Sequence, residues 1–118
     1  MQIEQRIAGD VAVIKIIGDI TVGKGGDVIL KDKINSLLQQ GYRKLLLDLG
    51  GVSYVDSAGL GQLVSVHATT TRQNGVLRLL NVTKRLKDLL VVTKLLVVFD
   101  AFDNEAEALA SFAKPAGV

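Results

Sequence analysis

Leu45-Leu46-Leu47-Asp48-Leu49, followed by Val52-Ser53-Tyr54-Val55-Asp56-Ser57-Ala58-Gly59-Leu60-Gly61, is the stretch on which the fold turns. Its first five residues form a short continuous apolar run, the pattern of a strand covered on both faces. Ser53-Tyr54-Val55 then leads to Asp56-Ser57, and beyond them Leu60, Leu63, Val64, His67 and Thr71 recur at helical spacing. A buried strand that runs into a helix is the repeating unit of an α/β sheet protein.

The flanks extend this alternation. Toward the N-terminus, Ile3, Gln5 and Ile7 alternate like a half-buried strand, Ala8-Gly9-Asp10 is a turn signal, and the β-branched run Val11–Ile17 predicts a second strand hairpinned to the first. Gly18 to Gly26 reads as a polar, glycine-rich loop. Leu30, Ile34, Leu37 and Leu38 then mark one stripe of a helix that Gly41 stops. Toward the C-terminus, Asn74-Gly75 ends the helix that began near Ser57, and Val76–Leu80 predicts a strand. Thr83 is placed to cap a helix carrying Leu86, Leu89 and Leu90, and Leu95–Phe99 predicts a last short strand. Asn104 with Glu107 resembles a capping box, and the helix behind it is expected to bury Ala106, Leu109, Ala110 and Ala113. Pro115 marks a tail, residues 114–118, expected to fray. The expected architecture is α/β: a mixed central sheet opening with a β-hairpin, with about four helices packed against it.

Composition removes several classes of function. The 118 residues fit one domain, and 48% hydrophobic content supports a core without staples. The absence of cysteine excludes disulfides, cysteine-ligated zinc, iron–sulfur clusters and thiol catalysis, and the single histidine, His67, excludes a site built on two imidazoles. Fourteen basic against twelve acidic residues leave a net charge of +2, and five Tyr and Phe with no Trp offer few stacking platforms, so nucleic acid is not an expected partner. The opening MQIEQRIAGD lacks the basic and apolar regions of a signal peptide, and no apolar run approaches the ~20 residues that span a bilayer. The expectation is a cytoplasmic domain without membrane insertion and without a cofactor.

Three motifs come near to catalysis and stop short. Gly18-Asp19-Ile20-Thr21-Val22-Gly23-Lys24-Gly25 approaches a P-loop, but Gly25 stands where a magnesium-binding Ser or Thr belongs, and Asp19 would place a negative charge in the phosphate cradle. Val55-Asp56-Ser57-Ala58-Gly59 approaches a nucleophile elbow, but Val55 replaces the first glycine. Its base is missing too, since His67 lies about 15 Å further along the same helix at 1.5 Å per residue. Asp19, Asp48 and Asp56 each sit near the end of an apolar run, where they could gather as an acid/base pair or a magnesium site; solvated loop acids are the alternative.

The segment around Ser57 carries its own signal. Ser57 can serve as a helix N-cap, and two glycines in the first turn cost about 1 kcal/mol each relative to Ala. That cost implies either close approach of another molecule or tight packing of the helix. An exposed serine at a helix N-terminus is also well placed to carry a phosphate, since the unpaired N–H groups and the helix dipole favour an anion. Phosphorylation would add about −1.5 to −2 charge beside Asp56, enough to break an interface while leaving a fold intact.

On these residues the chain resembles a STAS domain of the anti-sigma factor antagonist family. Leu46-Leu47-Asp48-Leu49 with Val52 through Leu60 is similar to the family's signature, Gly18-Asp19-Ile20-Thr21 to its Gly-x-Leu/Ile-Asp segment, and Leu80-Asn81-Val82 and Val98-Phe99 to Leu109 to its later elements. The likeness covers residues 1–113 as one domain. It implies a binding protein rather than an enzyme: unphosphorylated, it binds an anti-sigma factor that is a serine-protein kinase and so frees a sigma factor; the kinase phosphorylates the signature serine with ATP and a phosphatase reverses this. Carried over by position, Ser57 is the phosphoacceptor and Asp56 its acidic neighbour. Ala58, Gly59, Leu60 and Gly61 belong to the partner-facing start of the helix, with Asp19 and Thr21 on a nearby loop. The free protein is expected to be a monomer or weak dimer. A STAS scaffold in a signalling or lipid-transport assembly, never phosphorylated, is the alternative; a small nucleotide-binding domain using Gly18–Gly25 is a third. Two departures from the family pattern stand out: the glycine-rich Val22–Gly26 and the short region from Thr93 to Phe99.

Overall fold

The structure, a computed structural model, describes residues 2–21 and 26–113, without the side chains of residues 26–28. Segment 22–25 and the tail 114–118 lie outside the described residues. Strands β1 (Gln2–Ala8) and β2 (Val11–Ile20) form an antiparallel hairpin in which Ala8 faces Val11. Gly9 closes it at φ 65°, a conformation that L side chains resist. The chain then alternates through α1 (Gly26–Gln39), β3 (Lys44–Val55), α2 (Ser57–Arg72), β4 (Val76–Leu80), α3 (Lys84–Val92), β5 (Ala101–Phe102) and α4 (Glu105–Ala113). The sheet runs β1-β2-β3-β4-β5, with every pair after the hairpin parallel. The mixed sheet, the opening hairpin and the four helices match the expected architecture.

The period-two alternation of the strands explains the apolar run at its centre. Leu45, Leu47 and Leu49 join Ala12, Ile14 and Ile16 under α1, α2 and α3. Leu46 points the other way, into a smaller cluster with Val11, Val13, Leu80 and, from α4, Ala108 and Phe112. Helix α1 buries the four residues its spacing predicted, Leu30, Ile34, Leu37 and Leu38, and Gly41 ends it at φ 99°. Arg78 lies over the Phe112 ring at 4.7 Å and covers that smaller cluster.

Five expectations are corrected. Strand β2 continues through Gly18 and Asp19 to Ile20, because the Ile20 side chain is fully buried and anchors the strand's end; the loop expected from Gly18 begins later. Strand β3 is a single 12-residue element that crosses Gly50-Gly51. It does so by shifting register between Lys15 and Ile17, where a Cβ on Gly51 would stand 3.1 Å from the Ile16 carbonyl oxygen. Along α2 the buried stripe is Gly59, Leu60, Leu63, Val66 and Thr70, with Val64 and His67 at its half-buried flank and Thr71 exposed. Leu95–Phe99 is not a strand: Leu95 N–H bonds back to Leu90 C=O (2.8 Å) and Val98 N–H to Leu95 C=O (2.9 Å), so reverse turns satisfy the backbone and β5 forms only at Ala101–Phe102. In α4 the buried residues are Ala108 and Phe112, four apart; Ala106, Ala110 and Ala113 face outward and Leu109 is half-buried.

Two predicted caps form. The Thr83 hydroxyl accepts the Leu86 N–H (3.3 Å), and Asn104 Oδ1 accepts the Glu107 N–H (3.0 Å). Replacing Thr83 by Ala is expected to lower unfolding free energy by about 1 kcal/mol. Urea denaturation measures this, and an unchanged midpoint would show that the cap contributes nothing.

Candidate functional site

The C-terminal ends of the parallel strands β2 and β3 meet the N-terminus of α2, the edge where open α/β sheets bind their ligands and partners. Asp19 lies opposite Tyr54 in the register of β2 and β3. The Ser53 hydroxyl donates to Asp19 Oδ1 at 2.8 Å, which holds that exposed carboxylate in place. Asp19 therefore sits at the end of a strand, not on the loop expected for it, and Thr21, half-buried, follows that strand directly.

Asp56, not Ser57, is the N-cap of α2. Its backbone is extended (φ −88°, ψ 179°), and its carboxylate accepts the Gly59 N–H at 2.6 Å, while its carbonyl accepts the Leu60 N–H at 2.9 Å. Ser57 is already the first helical residue. The consequence is chemical: with Asp56 capping the helix, the Ser57 hydroxyl has no capping duty and stands exposed. The N–H groups of Ser57 and Ala58 have no acceptor within the helix, as in any first turn, and such an end favours a nearby anion.

The two glycines of this turn differ. A Cβ on Gly59 would stand 1.9 Å from the Ile20 carbonyl oxygen and 2.8 Å from its carbonyl carbon, so Gly59 lets α2 pack against the backbone end of β2. Around Gly61 nothing lies within 4 Å. Of the residues singled out from sequence, Asp19, Ser57, Ala58 and Gly61 are exposed and Asp56 is half-buried; Gly59 and Leu60, the latter 5% exposed, turn into the core.

The three aspartates do not form one centre. Asp19 is engaged by Ser53 and Asp56 by the α2 backbone. Asp48 accepts from the Gly50 N–H (3.0 Å) and the Asn81 side-chain amide (3.2 Å). Among the described residues no group of three His, Asp or Glu could hold a metal ion. Gly18 lies in β2 at φ 104°, paired with Val52, and so is not part of a phosphate-cradling turn; Gly23, Lys24 and Gly25 lie outside the described residues. His67 is half-buried against the edge of Phe99, ring centroids 5.2 Å apart, and serves packing.

One feature escaped the sequence. Beyond β4, which pairs only with Lys44–Asp48, the second half of β3 flanks α3 across an apolar groove of about 290 Å³ lined by Val52, Val55, Leu86, Leu89 and Val92. Tyr54, 48% exposed, stands at its rim. Tyr54 stands between Ser53 and Val55, and Val92 between Val91 and Thr93, a local pattern that does not separate core from groove.

The fold and this edge define a small α/β domain organised around a strand-to-helix junction, and residues 2–108 match the STAS domain family profile. The chain belongs to the STAS domain family. It is 35% identical over 88 residues to the anti-sigma-B factor antagonist of Bacillus subtilis, covering 70% of this chain and 80% of that one. Its fold superimposes on the solved protein TM1081 of Thermotoga maritima (TM-score 0.81, 22% identity, 95% of each chain). It also superimposes on the anti-sigma factor antagonist SpoIIAA in its unphosphorylated form (TM-score 0.73, 17% identity, 97% of this chain and 100% of that one) and on Bacillus SpoIIAA in its phosphorylated form (TM-score 0.70, 18% identity, 94% and 99%).

The asymmetry of the glycines is testable by urea unfolding. Gly59→Ala is expected to cost about 3 kcal/mol through the clash with Ile20, whereas Gly61→Ala gains up to about 1 kcal/mol in helix propensity. Equal effects at the two positions would contradict the packing role assigned to Gly59.

Proposed function

We propose that this chain is an anti-sigma factor antagonist whose binding is switched at Ser57. Unphosphorylated, it binds an anti-sigma factor of the serine-protein kinase type and so releases a sigma factor; the kinase transfers a phosphate from ATP to Ser57, and a phosphatase removes it. The chain catalyses nothing itself and acts in the cytoplasm. Support comes from the family, from the curated relative that is an antagonist of this kind, and from a related fold known in phosphorylated and unphosphorylated forms. No described helix is long and apolar enough to cross a membrane.

The observation that carries the proposal is the exposed Ser57 hydroxyl, freed by the Asp56 cap at the first turn of α2. A partner seated over Asp19, Thr21, Ser57, Ala58 and Gly61 meets a nearly flat backbone surface at Gly61, where no side chain projects. Gly59 and Leu60 hold that turn from beneath. A phosphate on Ser57 adds about −1.5 to −2 charge and three bulky oxygens to this surface. The free protein tolerates it, because water solvates the group and the N-terminus of α2 favours an anion. An interface does not, because the added charge stands beside Asp56 and Asp19 and has to be desolvated.

Incubation with ATP and the cognate kinase is expected to add one phosphate, mapped by mass spectrometry to Ser57; no added mass with a demonstrably active kinase contradicts the switch. Ser57→Asp is expected to weaken kinase binding at least ~10-fold. Its melting temperature should stay within about 2 °C of the parent, as for other exposed substitutions. Unfolding of that variant would instead assign Ser57 a structural role.

A further inference from the structure

Strand β1 lies at the end of the sheet, pairs only with β2 among the described residues, and runs for seven residues without a proline, a lysine or a register irregularity. Edge strands ordinarily carry such devices to block pairing with another chain. In a hairpin closed by a two-residue turn the flanking pair, here Ala8 and Val11, is hydrogen-bonded. Bonding then alternates, so that Ile3, Gln5 and Ile7 direct their N–H and C=O groups to the open edge.

The sequence of that edge is complementary to itself. Two antiparallel copies of Gln2-Ile3-Glu4-Gln5-Arg6-Ile7-Ala8 centred on Gln5 place Glu4 opposite Arg6 and Ile3 opposite Ile7, each pair occurring twice. The pairs also agree in face. Gln5 accepts from Lys33 of α1 (3.0 Å) and Ile3 packs into the core under α1, so the odd residues lie on the α1 side. Arg6 pairs with Glu105 of α4, so Glu4 and Arg6 lie on the other. Sliding the register by one pleat in either direction sets Glu4 against Glu4 or Arg6 against Arg6, so charge selects one register. Ile7, 44% exposed in the single chain, faces Ile3 of the second copy in this register.

We propose that a second copy of this chain docks antiparallel on β1, with Gln5 on the twofold axis, to form one continuous sheet through both molecules. An edge contact alone buries less than the roughly 1,200 Å² of a stable interface, so the dimer is weak and concentration-dependent. The axis stands perpendicular to the sheet, which sends the strand ends bearing the two Ser57 residues to opposite ends of the assembly. Both remain free, and dimerisation does not depend on the state of Ser57.

Sedimentation velocity from micromolar to millimolar protein tests this. The parent chain is expected to rise from monomer toward twice the mass. Glu4→Arg alone and Arg6→Glu alone, each checked for parental melting, should each dimerise about tenfold more weakly, whereas an equimolar mixture of the two regains parental association because every cross-strand pair is again opposite in sign. In the parent chain the amide protons of Ile3, Gln5 and Ile7 should exchange more slowly as concentration rises. A parent chain that stays monomeric, a dimer undiminished in both variants, a mixture no heavier than its components, or concentration-independent exchange at those amides would each overturn the proposal.

Discussion

Helix α2 begins where it does because residue 59 has no side chain. The Ile20 carbonyl of β2 occupies the space a Cβ would need, 1.9 Å from where that atom would stand. This contact ties the end of β2 to the first turn of α2 and sets the height of that turn above the sheet edge. Asp56 then reaches the Gly59 N–H and closes the helix end, and Ser57 falls on the outer side of the junction. A glycine that weakens the helix locally is thus the reason the turn, the cap and the exposed hydroxyl share one corner of the molecule.

The architecture was legible in particular residues. The Leu45–Leu49 run announced a strand buried on both faces, and the structure splits it between two clusters of unequal size. Gly9, Gly41 and Thr83 announced the hairpin turn, the helix stop and the cap, and each does that work. What sequence missed depends on contacts between distant segments. Ser57 and Asp56 are both good caps, and only backbone geometry decides that the carboxylate takes the N–H. Gly18 read as the start of a loop, and the strand expected at Leu45–Leu49 stopped short of Gly51, yet both glycines lie inside strands where register shifts require room. The faces of α4 were misassigned because four alanines carry little hydrophobic signal, and Phe112 decides which side is buried.

Charge is distributed to match this division. The carboxylates nearest the junction, Asp19 and Asp56, are each held by a neutral donor, the Ser53 hydroxyl and the Gly59 N–H, so neither is neutralised by a cation of this chain among the bonds described. At the opposite end of the sheet the Lys44 ammonium bonds Asp10 and holds its carboxyl below the usual range, an exposed pair that matters little for stability. A basic partner surface can meet these two carboxylates, and a phosphate on Ser57 would add to their negative charge. The β1 edge lies on the far side of the sheet from α3, and pairing there would leave the junction untouched.

In the switch we propose, a partner covers the corner holding Ser57, and a phosphate there uncovers it. Amide chemical-shift mapping with the cognate anti-sigma factor reads this directly. The account predicts that the unphosphorylated chain shows its largest changes at Asp19, Thr21 and Asp56–Gly61, and that the chain phosphorylated at Ser57 shows none at the same concentrations. A footprint centred on α4 or β1, or one that survives phosphorylation unchanged, would contradict it.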